Sequence, residues 1–335
     1  MIRQDFSLRN YNSFRLDIKA KTFFQYSSVD ELKEFFVSNK NSDEPLFHIG
    51  GGNNLLFRGD FCGTILFSRI QYIEEIRKDN NHIWLKVGSG VEFDALVADM
   101  CKKGIGGLEN LSLIPSQVGA AAVQNIGAYG AEIKDVIEAV EVFDPKNCSI
   151  TIIDKSKCGY GYRHSNFKSP DWARLIVTSV IFKLDINPQI NLSYSALKKE
   201  FENIEAPTIK NIRDAVIRIR RSKLPDPKEL GNAGSFFKNP YCTKRKLEEL
   251  QSQFGNVPFY EVSESEVKIP AAWLIEQCGF KGKRFGNVGA YDKQPLVLVN
   301  YGNATSQELI GLSERITKEV YQKFGLTISP EVIFV

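Results

Sequence analysis

The stretch "GLENLSLIPSQVGAAAVQNIGAYG", Gly107 to Gly130, limits what this chain can fold into more than any other. It carries a single charged side chain, Glu109, and too many small residues for an ordinary amphipathic element. Loops this long inside a compact domain are usually functional. The run Gly119, Ala120, Ala121, Ala122 would let a bulky flat group lie directly on the backbone. Gln124 and Asn125 add neutral donors and acceptors suited to the polar edge of a ring, and Gly127 follows them. A buried structural loop is the other reading, and these residues alone leave both open.

A second glycine cluster sits in "HIGGGNNLLF", directly after the strand candidate "PLFHIG". Gly50, Gly51 and Gly52 allow positive φ and close backbone approach, so that consecutive N–H groups can ring an anion. Asn53, Asn54 and Leu55 complete the segment. No GK[ST] follows and GxGxxG is absent, which excludes a Walker loop and the Rossmann fingerprint. Alone, this cluster reads equally as a tight turn. Two such loops in one domain favour a dinucleotide cofactor bound in another way.

Bulk properties narrow the rest. The chain has 335 residues, enough for two domains, with 43% hydrophobic and 25% charged residues, ordinary for a protein with a real core. Net charge is +3, which gives no global attraction to nucleic acid or membrane. The N-terminus has no apolar core and no stretch reaches the roughly 18 apolar residues of a membrane span, so a cytoplasmic protein is expected. Six cysteines show no CxxC, and His48, His82 and His164 form no HExxH, so no metal site is expected. "RIRRSK", Arg218 to Lys223, could serve as a basic patch for RNA, but no RNA-binding motif with interleaved aromatics accompanies it.

The pattern along the chain is α+β. "SSVDELKEFFVSNK" opens with Ser28 and Glu31 as a capping box and places Val29, Leu32, Phe35 and Phe36 on one helical face. "VEFDALVADMCKKG" is a helix with Leu96, Val97, Met100 and Cys101 inward and Gly104 as its stop. "HIWLKVG", "VIEAVEVFD", "SITIID" and "RLIVTSVIFKL" are strands. A helix is expected from Asn211, and another runs from a Thr305–Glu308 capping box to Gly325. "LTISPEVIFV" ends the chain as a strand carrying one acid, Glu331. "GNAGSFFKNP", Gly231 to Pro240, reads as a flexible apolar loop with Ser235 at its tip, a serine that could simply satisfy its own turn.

Both small-residue loops resemble the FAD-binding loops of the UDP-N-acetylenolpyruvoylglucosamine reductase family. "GYGYRHSNFK", "KLPDPKELGNAGSFFKNP", "AAWLIEQCGFKGKRFGNVGAY" and "PEVIFV" continue the resemblance, in the family's order, over nearly the whole chain. Ala122 departs from it, standing where the family often has proline. The resemblance implies an α+β fold with an FAD domain of the vanillyl-alcohol-oxidase type at 1–187. A linker with a tyrosine loop at 188–219 and a substrate domain at 220–335 would follow, with the final strand returning to the flavin. It implies noncovalent FAD, NADPH as reductant, a UDP-sugar substrate, no nucleic acid or membrane partner, and a monomer. Related flavin oxidases often attach FAD through histidine or cysteine; Asn53 and Asn54 occupy the first loop here, although His48 lies just upstream.

Site roles follow from the same resemblance. Hydride addition to the β carbon of an enolpyruvyl ether leaves charge on the α carbon and its carboxylate, which calls for a proton donor and hydrogen-bonding cations. Ser235 resembles the family's proton donor and Arg163 its active-site arginine, whose fork matches a carboxylate. Glu331 resembles the third catalytic residue, and an unpaired carboxyl in an apolar strand is expected to stay protonated. Tyr194, Lys223 and Asn239 resemble substrate contacts, Tyr194 on a mobile lid. Gly50, Gly51, Gly52, Asn53, Asn54, Leu55, Gly119, Ala120, Gln124, Asn125 and Gly127 are the expected cofactor contacts.

Overall fold

Alternating and continuous apolar runs become two sheets in the first part of the chain. The computed structural model describes residues 1–39 and 43–335. The end of "SSVDELKEFFVSNK", at Lys40, lies outside them. The chain divides into two compact units, one of Met1–Phe6, Ala20–Gly51 and Cys62–Arg220, the other of Ser7–Lys19, Gly52–Phe61 and Arg221–Val335. Two short stretches that the sequence assigns to the first domain therefore belong to the second unit.

In the first unit, a five-stranded antiparallel sheet has the order Ser149–Asp154, Ile137–Asp144, Ile176–Asp185, His82–Gly88, Ile73–Lys78. Ile83, Leu85 and Val87 are buried as the alternation requires, and they meet Leu96, Val97, Met100 and Cys101 of the helix Phe93–Lys102 in one core. Trp84, on the opposite face of that strand, is also buried: Arg77 lies 4.3 Å and Lys183 5.4 Å from its ring centroid, so their stems and charges cover it. A four-stranded sheet orders Ile2–Ser7, Lys19–Tyr26, Phe61–Ser68 and Leu46–Ile49, the last pair parallel. The helix Val29–Ser38 packs on it through Leu32 and Phe35. Ser28 accepts from the Glu31 N–H, but the Glu31 carboxylate accepts from Ser27 rather than Ser28, so only half of the expected capping box forms.

The segment expected as one long loop at 107–130 is partly helical. A short helix, Val118–Gln124, ends on Asn125 at φ 48°. Its alanines favour a helix intrinsically, and its first turn is bonded to the turn that follows the strand His82–Gly88, Val118 N–H to Val91 O and Gly119 N–H to Ser89 O. The helix expected from Asn211 begins at Ile209, because the Thr208 hydroxyl accepts from the Asn211 N–H.

The second unit has a four-stranded sheet in the order Gly231–Ser235, Val297–Asn300, Val288–Ala290, Arg284–Phe285, and the helix Ser306–Phe324 packs beside it. That helix carries the full reciprocal capping box of Thr305 and Glu308 and stops on Gly325 at φ 65°. The last residues are extended only at Ile333–Phe334, paired in parallel with Leu55–Leu56. Glu331 thus lies in a bend before the strand, not within it.

Candidate active site

Each unit, taken by itself, brings together some of the residues expected from the sequence. In the first unit the two glycine clusters meet. A Cβ added to Gly50 would lie 2.6 Å from the Ala120 Cβ, and one added to Gly119 would lie 2.8 Å from the Ser89 Cβ. These approaches are closer than any side chain allows, so Gly50 and Gly119 are required by packing of the short helix on the strand ends. Gln117 secures the junction by donating to Ser68 O and Gly90 O at 3.4 Å each.

The other end of the same helix holds the arginine loop. Arg163 donates from Nη2 to Gly127 O at 2.8 Å. Asn125 donates to Gly161 O at 2.7 Å, Ser165 donates to Val123 O at 2.6 Å, and Lys168 donates to Gln124 Oε1 at 2.9 Å. Gly127 is needed here as well, since a Cβ there would lie 3.1 Å from Arg163 Nη1 and 2.9 Å from Glu132 Cγ. Arg163 itself has φ 53°, and Leu113, Asn125 and Tyr129 are likewise left-handed. Non-glycine residues cost about 1–2 kcal/mol each in that region, and such strain clusters at functional sites. The Leu113 turn is held by its N–H on Asp94 Oδ1 at 2.6 Å. Burial acts to raise the Asp94 pKa, but the paired Arg213 guanidinium (2.6 and 3.0 Å) outweighs it and holds the carboxyl below its usual range.

Tyr194 packs on this region too. Its ring meets Tyr129 edge to face at 5.1 Å between centroids, at the start of the short helix Ser195–Glu200. Asn191 donates to Gly130 O at 3.0 Å, and Asn110 bridges Tyr129 O and Asn191 O. Sequence reasoning missed Tyr129, Lys168 and Arg220. The Arg220 Nε is buried with no hydrogen-bond partner among the described residues, and burial lowers the pKa of its guanidinium. Lys168 stood inside the quoted arginine block, so proximity to Arg163 was its available signal. His48 does not face the glycine turn as a free nucleophile: its Nε2 is 2.7 Å from the Tyr26 hydroxyl, and burial lowers its pKa to about 4.

In the second unit, Ser235 ends a strand instead of tipping a loop. Asn232 pairs with Val299 and Ser235 with Val297, so one extra residue is bulged out. Gly234, at φ 68° with its N–H on Asn232 Oδ1 at 2.9 Å, makes that bulge. The consequence is local: Phe236 and Phe237 turn fully into the core while Ser235 is exposed. Its hydroxyl has no hydrogen-bond partner among the described residues, so the serine does not serve its own turn. Glu331 donates its N–H to Phe236 O at 2.8 Å, and Asn54 donates to Glu331 O at 3.2 Å. Ser235, Glu331 and Asn54 are therefore brought together through the backbone.

Other expected contacts have structural duties. A Cβ on Gly52 would lie 2.0 Å from Tyr11 O, which explains that glycine without a ligand. Gly51 and Asn53 share the bend and turn that follow the strand Leu46–Ile49. Leu55 is buried in its pairing with Ile333. Asn239 Oδ1 accepts from the Ala271 N–H at 2.9 Å and so caps the helix Ala271–Gln277. Lys223 is exposed at the end of the helix Ile209–Lys223.

Comparison with known proteins bears directly on this arrangement. Residues 226–335 match the family model described as "UDP-N-acetylenolpyruvoylglucosamine reductase, C-terminal domain", and residues 20–151 match the model "FAD binding domain". The chain is 46% identical to the UDP-N-acetylenolpyruvoylglucosamine reductase of Flavobacterium johnsoniae, over 99% of this chain and 98% of that protein. It belongs to the UDP-N-acetylenolpyruvoylglucosamine reductase family. The reductase of that name from Bacteroides fragilis is 44% identical over the full length of both chains. The crystal structure of the Thermus caldophilus reductase shares the fold, with a TM-score of 0.69 at 24% identity over 100% of this chain and 99% of that one. The α+β fold, with an FAD domain joined to the family's C-terminal domain, is thus the family's fold.

FAD fits the residues present. The buried Gln124 Nε2 has no partner among the described residues, a donor suited to a neutral ring edge. Among the described residues no group of His, Cys, Asp and Glu could hold a metal ion.

Proposed function

We propose that this chain reduces the enolpyruvyl group of UDP-N-acetylglucosamine enolpyruvate to UDP-N-acetylmuramate, in peptidoglycan precursor synthesis, using noncovalent FAD and NADPH. When bound, FAD supplies the hydride that the protein's own side chains cannot. The observation carrying the site reading is the stitching of the Arg163 loop onto the end of the helix Val118–Gln124, through Gly127, Gln124 and Asn125.

Arg163 holds the substrate carboxylate. Its guanidinium stays cationic as negative charge grows on that carboxylate, and the 2.8 Å bond to Gly127 O fixes the direction of the fork. Ser235 donates the proton to the α carbon: an exposed hydroxyl without a protein partner is free to turn toward a carbanion far more basic than itself. Glu331, set in its bend by its N–H on Phe236 O, is the third residue of this proposed site. Lys223, Tyr194 and Asn239 hold the diphosphate, Asn239 through the amide nitrogen that its capping role leaves available. The placement of His48 against Tyr26 supports noncovalent attachment. A cytoplasmic monomer accords with these soluble reactants, and no helix among the described residues is long and apolar enough to cross a membrane.

The test is direct. The purified protein should be yellow, release its flavin on denaturation, and oxidise NADPH faster when the enolpyruvyl sugar is present. Flavin remaining on the denatured chain would favour an oxidase with covalent cofactor instead.

A further inference from the structure

Gln124 and Lys168, which help tie the arginine loop to the helix Val118–Gln124, have no chemical role in the proposed mechanism. Lys168 Nζ donates to Gln124 Oε1 at 2.9 Å and to Arg163 O at 3.1 Å. The lysine is held in place from several sides. It closes the 3-10 turn Asn166–Lys168, whose Phe167 is buried in the main core of the first unit against Trp172. Ser165, just before that turn, is fully buried and donates to Val123 O. Asn166 is tied by its N–H to Cys158 O and by its side chain to Lys157 O.

The chemistry of the pair decides which way the glutamine amide faces. The oxygen and nitrogen of an amide are nearly the same size, so packing alone does not choose between them. An ammonium has three donors and no acceptor, so the amide atom turned to Lys168 must be the oxygen. The NH2 group then faces the other way. Its Nε2 is buried and has no hydrogen-bond partner among the described residues. A buried donor left unmade is costly, and its persistence points to an acceptor that arrives with a ligand.

We infer that Lys168 is a positioning residue that locks the Gln124 amide with its NH2 group toward the polar edge of the flavin, and that it holds the left-handed Arg163 turn through the same ammonium. This rests on the reading that FAD lies against the end of the helix Val118–Gln124. Reduction raises electron density on the ring's carbonyl edge, so a fixed N–H donor there favours the reduced form. Without the lysine the amide can rotate and present its oxygen to that edge, replacing an attraction with a repulsion.

The experiment is a double-mutant cycle on the FAD-loaded protein, read as the flavin midpoint potential and visible spectrum, with thermal unfolding measured alongside. Lys168→Met should lower the reduced-to-oxidised equilibrium about tenfold, ~30 mV for a two-electron couple. Lys168→Arg, which keeps donors at that position, should stay within about threefold of the starting protein. Gln124→Leu should lower the equilibrium by at least as much as Lys168→Met, and adding Lys168→Met to it should change little further. If methionine impairs folding, Lys168→Gln replaces it and should give an intermediate shift. Equal effects of Lys168→Met with and without Gln124 would show the lysine acting by its charge alone and overturn the inference. So would a normal potential in the lysine variants while Gln124→Leu is shifted. An unshifted Gln124→Leu protein would instead remove the underlying reading, because the flavin would then not face that amide.

Discussion

Alanine in place of Gly50 should damage flavin binding, and Ala120→Gly should repair most of that damage. The new Cβ would lie 2.6 Å from the Ala120 Cβ, whereas carbon atoms rest at about 3.5–4.0 Å. About 1 Å of movement is needed, and neither atom belongs to a flexible side chain. The next neighbours, Gln117 Oε1 and Cβ at 3.6 and 3.7 Å, are in ordinary contact, so the conflict lies in one atom pair. The helix carrying Ala120 is bonded through Gly119 N–H to Ser89 O at 3.0 Å and packed on the Ser89 side chain, so it yields poorly. Overpacking of this kind costs about 1–3 kcal/mol. If most of that falls on the holo form, the FAD Kd rises about 10- to 100-fold. Urea unfolding of the apoprotein and flavin fluorescence titration separate stability from binding. Ala120→Gly costs up to about 1 kcal/mol of helix stability, but in the double variant it should return Kd to within about threefold. Wild-type affinity in Gly50→Ala, or no repair by Ala120→Gly, would refute the reasoning.

Arg163→Lys should lower product formation by about a hundredfold or more with flavin reduction by NADPH nearly unchanged, because one ammonium cannot reproduce the fork; stopped-flow reduction set against product assay checks this. His48→Gln should flatten the pH dependence of stability between about pH 4 and 6.5. The folded His48 pKa is depressed to about 4 by burial, so the unfolded chain binds the extra proton in that window and stability falls as pH drops through it. The full effect is ~3 kcal/mol at most, read by chemical denaturation at several pH values. Asp94 and Glu141, with folded pKa values held below the carboxylate range, lose their contribution as pH falls through the unfolded carboxylate range, so they overlap only the acid end of this window.

Local rules made much of the fold legible. The Thr305–Glu308 box and Gly325 bound the last long helix as read, because both signals act within one turn of the chain. The run "GNAGS" read as a loop because glycine and asparagine are poor strand formers, yet pairing with the buried Val297–Asn300 strand overrides that preference. Gly119 to Ala122 read as open backbone because their small size suggested ligand contact, while the alanines' helix propensity carried the opposite signal. Ser235, Arg163 and Glu331 were named through resemblance alone, since nothing near them in the chain marks them. Lys168 and Arg220 stayed hidden because their meaning comes from partners far along the chain, Gln124 and Tyr129. The bend at Glu331 was missed for the same reason: the Phe236 carbonyl and Asn54, not its apolar neighbours, determine where it sits.

Ser235→Ala offers the most direct measurement, with flavin reduction by NADPH and UDP-N-acetylmuramate formation followed in the same preparation. Reduction should proceed at the wild-type rate while product formation falls at least about a hundredfold, the loss expected on removing the group that delivers the proton. An alanine variant that forms product at the wild-type rate would contradict the proposed chemistry.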